Sequence, residues 1–179
     1  MLKDLFNISA AMEKELILLR HGKSDWNIET DDFHRPLKKR GVQGAKQAGE
    51  WLLKYHLIPD AILSSPATRA INTAELVCET LGLDQRSILQ KQCLYGADLK
   101  SIKVALGELS SNVCRLLLVG HNPGLEELLI YLSGGQIKIP DDGKLLPTAT
   151  IARLRISVVW NAIDQDCAKL ILIKRPEKR

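Results

Sequence analysis

Aromatic residues make up only 4% of this 179-residue chain, so its core must be built from Leu, Ile, Val and Ala rather than from stacked rings. Long apolar runs are missing too. Leu16–Leu19, Leu116–Val119 and Leu170–Ile173 hold four residues each, against about 20 for a spanning helix, and no membrane association is expected. No two of the four cysteines (Cys78, Cys93, Cys114, Cys167) form a C-x-x-C pair. A zinc site is therefore not expected, and the thiols read as small buried apolar groups in a reducing compartment. Residues 1–11 carry Lys3 and Asp4 and have no continuous apolar stretch of the kind a secretory leader needs, so the expected location is the cytoplasm. Neither sign of charge dominates. The formal net charge of +4 suits an anionic small substrate or a phosphoprotein and falls short of a nucleic-acid-binding balance.

What is present is a globular composition, 45% hydrophobic and 26% charged, in a chain long enough for one domain with a sizeable core. Met12 stands just before Glu13-Lys14-Glu15, so residues 1–12 read as a disordered extension, or as sequence upstream of the true start, and residues 13–176 as a single domain. Short apolar runs alternate with helical patterns, which points to a parallel α/β sheet.

Strands are expected at Glu15–Leu19, Asp60–Ser64, Ile88–Leu94 and Val113–Val119. Between them, Leu37, Val42, Ala45, Ala48, Leu52 and Leu53 mark one helix face, and Ala70, Ala74, Val77 and Leu81 another, stopped by Gly82. A helix is expected over Leu99–Leu109, and Leu125, Leu128, Leu129 and Leu132 define a fourth that ends at Gly134-Gly135. Beyond them Ala152, Leu154, Ile156 and Val158 alternate with polar residues, the period of a strand with one wet face, and Ala168–Ile173 is its hairpin partner. The expected fold is a three-layer α/β/α sandwich with a mostly parallel central sheet and a C-terminal hairpin.

Three of these strands run into chemically related turns: Arg20-His21-Gly22, Ser64-Ser65-Pro66-Ala67-Thr68-Arg69 and Gly120-His121-Asn122-Pro123-Gly124. Ligands of open α/β sheets bind beyond the carboxyl ends of the strands, so two arginines and two histidines are expected at one mouth. Ser65 and Asn122 read as helix N-caps followed by proline at the first helical position, which would aim free N–H groups at the same crevice. Gly22 and Gly124 permit close backbone approach. A tetrahedral phosphate dianion fits such a set, because guanidinium forks match its oxygens. Neutral imidazole is also a nucleophile toward phosphorus, and the surrounding cations can stabilise the equatorial oxygens during in-line transfer. That chemistry asks for no metal and no cofactor. His34 and His56 read as structural.

The stretch Leu18-Leu19-Arg20-His21-Gly22-Lys23-Ser24-Asp25-Trp26-Asn27 resembles the opening signature of the histidine phosphatase superfamily, also called phosphoglycerate mutase-like. The similarity extends over most of the chain from about residue 15. It implies that His21 is transiently phosphorylated, that Arg20 and Arg69 clamp the phosphoryl group, and that His121 is the second pocket histidine. It also implies phosphate contacts near Asn27 and Ser24. Asp32-Phe33-His34-Arg35-Pro36-Leu37 resembles the SixA-type phosphohistidine phosphatases, with Arg35 as a third arginine oriented by Asp32. The blander reading of Arg35 is a solvated residue ahead of a helix.

Relatives that cleave phosphomonoesters supply a glutamate after the second arginine helix, where this chain is short. Asp98 is the candidate there and looks more like a helix N-cap; Asp32 is the other carboxylate that could reach the site. A missing acid suits P–N substrates, whose leaving nitrogen can already carry a proton. The expected partner is therefore phosphohistidine in a protein. A small phosphorylated metabolite is the second reading, and a non-catalytic phosphate-binding module on the same fold is the third.

Overall fold

Leu16, Ile17, Leu18 and Leu19 have no exposed surface at all. In the computed structural model, which describes residues 13–177, they lie in β1 (Lys14–Arg20). Strand alternation sends Leu16 and Leu18 into one apolar layer and Ile17 and Leu19 into the other, as a strand buried on both faces requires. The extension expected over residues 1–12 lies outside the described residues.

After β1 come α1 (Lys39–Lys54), β2 (Ala61–Ser64), α2 (Thr68–Leu81), β3 (Ile88–Gln90), α3 (Leu99–Gly107), β4 (Arg115–Gly120), α4 (Gly124–Leu132), β5 (Ile151–Ile156) and β6 (Ala168–Lys174). The sheet order is β3-β2-β4-β1-β5-β6. The first four of these strands are mutually parallel, while β5 runs antiparallel to both β1 and β6. This is the mixed sheet that the hairpin pattern implies. Ala48 and Leu52 of α1 and Ala70, Ala74 and Val77 of α2 cover the Ile17/Leu19 face. Ile102 and Leu106 of α3 and Leu125, Leu128 and Leu129 of α4 cover the other. Three layers result.

Several expected boundaries shift. Leu37 precedes α1 and pairs instead with Ser24 in an isolated antiparallel bridge. The third strand stops at Gln90, because a 3-10 turn over Gln92–Leu94 swings Leu94 into the core. β4 starts at Arg115 rather than Val113, where the Asp60 carboxylate accepts from the N–H groups of Cys114 and Arg115 at 2.8 and 2.7 Å. α3 ends two residues early, at Gly107, and Val158 falls beyond β5. All four cysteines are free, but only Cys78 and Cys167 are buried; Cys93 is exposed on the 3-10 turn and Cys114 is half-buried, so neither is core material. Gly82 does end α2 in the left-handed conformation, at φ 68°.

Candidate active site

Parallel pairing aligns the carboxyl ends of β1, β2 and β4, with Arg20 opposite Gly120 and Ser64 opposite Val119. His21, Ser65 and His121 follow immediately. The rings of His21 and His121 face each other with centroids 5.0 Å apart at 55°. The juxtaposition expected from three separate turns is present.

His21 is 8% exposed, and its Nδ1 lies 2.7 Å from the carbonyl oxygen of its neighbour Gly22. A carbonyl can only accept, so Nδ1 carries the proton and Nε2 keeps its lone pair. Nε2 has no hydrogen-bond partner among the described residues. Burial pushes the His21 pKa down to about 3; the Gly22 carbonyl opposes this, and His121, Arg69 and Arg20 add to it. His121 is lowered to about 4, chiefly by burial and then by Arg69. Both rings are neutral at physiological pH. The Nε2 of His121 shares a 2.8 Å hydrogen bond with the Ser65 hydroxyl.

The arginines are held from behind. Arg20 donates from Nη1 to the Leu146 carbonyl at 2.8 Å; burial lowers its pKa and the Glu126 charge opposes that. Arg69, on the first turn of α2, donates through Nη2 to the Asp32 carboxylate at 2.9 Å and through Nη1 to the Asp32 carbonyl. Arg35 is 6% exposed, pairs with the other Asp32 oxygen and lies under the Trp26 ring, with Cζ 3.2 Å from its centroid. The bland reading of Arg35 as a solvated residue does not hold. Asp32 is thus the common anchor of two guanidinium groups.

Seven described side-chain atoms are buried without a hydrogen-bond partner. All but Ser133 Oγ belong to residues of this crevice or its wall: Arg20 Nε, Arg35 Nε and Nη1, His121 Nδ1, Asn122 Oδ1 and Thr150 Oγ1. Buried polar groups are ordinarily paired, so a cluster of orphaned arginine donors marks a place shaped for an anion.

Other expectations need correction. Ser65 and Asn122 cap no helix: α2 and α4 begin at Thr68 and Gly124, and neither has a side-chain cap. The Ser65 hydroxyl is occupied with His121 and with the Ala67 N–H at 3.3 Å, and Asn122 donates to the Leu146 carbonyl at 3.0 Å. Pro66 and Pro123 therefore precede the first helical residue. The Thr68 N–H is used by the Phe33 carbonyl at 3.0 Å, so it is not free for an anion. Asn27 is exposed on the 24–36 loop, its backbone N–H bonded to Asp25, and its side chain makes no hydrogen bond to an arginine or histidine among the described residues. Ser24 is buried, and its backbone pairs with Leu37.

Gly22 does require its missing side chain, because a Cβ there would stand 2.5 Å from the Gly41 carbonyl oxygen. Gly124 is as tight, 2.2 Å from the Ala97 carbonyl oxygen. Asp98 caps α3 by accepting from the Ser101 N–H at 2.8 Å, as its sequence context suggests.

Sequence reasoning passed over three contributors. Tyr95 donates from its hydroxyl to Asp32 Oδ2 at 2.9 Å and sets its ring edge-on to His121 at 5.9 Å. Thr73 accepts from the Gly22 N–H at 3.0 Å and donates to the Arg69 carbonyl at 2.7 Å, coupling the first turn to the second. The Leu146–Thr150 turn supplies the carbonyl that holds Arg20, and its Ala149 N–H bonds the carbonyls of Arg20 and His21 at 3.0 and 3.1 Å. Only the threonine carried a signal, four residues after Arg69 on the buried face of α2.

An imidazole that keeps one lone pair, beside Arg20, Arg69 and a second imidazole, fits a phosphoryl-transfer class of protein, and the comparisons agree. Residues 16–91 match the family model described as histidine phosphatase superfamily (branch 1). A Mycobacterium tuberculosis protein described as uncharacterized is 34% identical over 157 residues, covering 86% of this chain and 96% of that one. A solved structure from Nakamurella multipartitia, provisionally assigned as the phosphohistidine phosphatase SixA, superposes with a TM-score of 0.79 at 25% identity over 92% of this chain and 96% of that one. A provisionally assigned SixA from Agrobacterium tumefaciens gives 0.72 at 27% identity, over 92% and 99%. The chain belongs to the histidine phosphatase superfamily and is a hydrolase of the histidine-nucleophile phosphatase class. Its likeness within that superfamily is to the SixA type.

Proposed function

We propose that the protein removes phosphate from phosphohistidine displayed on another protein in the cytoplasm, with His21 as the group phosphorylated in transit. The observation that carries the assignment of the nucleophile is the Gly22 carbonyl on His21 Nδ1, which leaves Nε2 unprotonated. Nε2 attacks phosphorus; its bond to phosphorus forms as the bond from phosphorus to the substrate nitrogen breaks. The substrate imidazole leaves neutral, because its second ring nitrogen can hold a proton before attack. Water then attacks the phosphoryl group on His21, releasing inorganic phosphate and restoring Nε2. Arg20, Arg35 and Arg69 carry the charge of the three equatorial oxygens in both steps, and His121 donates to the same group from within the pocket.

The substrate class rests on what the carboxylates are doing. Asp98 is committed to its cap, and Asp32 is held below its ordinary carboxylate pKa, the Tyr95 hydroxyl and Arg69 outweighing its partial burial. Neither is placed to hand a proton to a departing alkoxide, which a phosphomonoester needs and a phosphoramidate does not. Turnover of a phosphohistidine peptide, an aryl phosphate and a sugar phosphate under one set of conditions tests this reading. The peptide should be hydrolysed with the highest kcat/KM; a sugar phosphate turned over faster would transfer the assignment to a small metabolite.

A further inference from the structure

The turn that braces the phosphate crevice has a second face. Leu146 and Ala149 hold Arg20 and His21 by their backbone, while Lys144, Pro147 and Thr148 line a cleft of about 640 Å³ on the other side. The opposite wall is α1, where Arg40, Gln43 and Gln47 look into the cleft, and Lys23 stands at its end. Ala149 is drawn against the helix: a Cβ on Gly44 would lie 2.7 Å from the Ala149 Cβ, and Ala149 itself has a φ of 59°, unusual for a residue with a side chain. Crevice and cleft therefore share one tightly held wall.

The cleft is basic. Lys23, Arg40 and Lys144 are exposed and have no carboxylate within salt-bridge distance among the described residues. Arg175 is already paired with Asp142, at 2.6 Å, and Glu177 with Lys174, at 3.6 Å. Lys23 is the informative member. It lies two residues from His21, so its Cα is within about 7 Å of that of the nucleophile. Its backbone is fixed, since its carbonyl accepts from the Lys38 N–H at 2.8 Å and Gly41 leaves it no more room than a missing Cβ provides. Lys23 joins the nucleophile's turn to the cleft, and Arg40 and Lys144 add two further unpaired cations there, a set that matches an extended anionic chain lying beside the site.

We propose that this cleft docks an acidic segment flanking the phosphohistidine of the substrate protein, so that carboxylates on Lys23, Arg40 and Lys144 deliver the phosphoryl group to the crevice. The proposal deepens the substrate assignment above and rests on it, but binding and turnover can be read apart. Binding is followed by fluorescence anisotropy of a short labelled peptide rich in glutamate beside an unphosphorylated histidine, with the phosphate crevice filled by orthovanadate. The native protein should bind it with an affinity that falls as salt rises, and the double substitution Lys23→Glu with Arg40→Glu should weaken binding about tenfold or more. Equal binding by native and substituted protein overturns the cleft.

Turnover is followed with two phosphohistidine peptides that differ only in an acidic or a basic flank. The native enzyme should favour the acidic flank through KM, Arg40→Glu with Lys144→Glu should erase that preference, and hydrolysis of a small aryl phosphate by that variant should be unchanged. No preference in the native enzyme also overturns the proposal. Peptide binding that responds to the charge reversal, without turnover of either phosphohistidine peptide, upholds the cleft and sinks the substrate assignment instead.

Discussion

Asp32 and Tyr95 show how much of the crevice depends on residues that need not touch phosphate. Asp32 gives one oxygen to Arg35 and the other to Arg69 and the Tyr95 hydroxyl, so one carboxylate sets the direction of two guanidinium groups. Tyr95→Phe removes one of these bonds and leaves the ring packed on Phe33 and His121. A neutral hydrogen bond is worth about 1 kcal/mol, so kcat/KM should fall several-fold, through KM, with the circular dichroism spectrum unchanged. The two histidines make a second residue-level prediction. Their folded pKa values, about 3 and about 4, lie below the ordinary value of 6.5. Between those limits the unfolded chain binds more protons than the folded one. Stability from these groups is therefore complete above pH 6.5 and is lost as pH falls toward 3. Thermal melts of His21→Asn should show a shallower loss of Tm between pH 6.5 and 4 than the native protein, and identical slopes would refute the burial argument.

Among the elements, the contact between the Gly22–Lys23 turn and the start of α1 is the least forgiving. A Cβ on Gly41 would stand 2.2 Å from the Lys23 carbonyl oxygen, a backbone atom that cannot rotate away. Gly41→Ala should cost about 1–3 kcal/mol of stability in a denaturant titration, as overpacking of a close backbone approach does, and should also lower activity by displacing His21. Strands and helices were legible from sequence because period and punctuation act locally: the apolar run 16–19, the stop at Gly82 and the cap at Asp98 all stand where the pattern puts them. The reading of Ser65 and Asn122 as caps failed because the helices start later, at Thr68 and Gly124, and the two side chains turn to the tertiary partners His121 and Leu146 instead. Local propensity cannot see such partners. Tyr95 and the Leu146–Thr150 turn were illegible for the same reason, since each meets the crevice from a distant stretch of chain with no motif of its own.

Across the whole molecule, the sheet converts three short motifs into one place. Parallel β1, β2 and β4 present their ends together, and the antiparallel β5 begins beside them, so the turn ahead of Ile151 can brace His21. Motif order anticipated Arg20, His21, Arg69 and His121, and the resemblance to SixA-type phosphatases added the Asp32–Arg35 pair. The position of Asn27, on the exposed loop, follows from the path of the chain between β1 and α1 and could not be read from its neighbours. The account stands on His21 Nε2 bonding to phosphorus. Rapid mixing with a radiolabelled phosphohistidine peptide, quenched in alkali and digested, tests that bond directly. Acid-labile, alkali-stable label should be found on the peptide containing His21 and be missing from His21→Ala, which should also release no phosphate. Label on a different residue, or equal phosphate release by native protein and His21→Ala, would contradict the account.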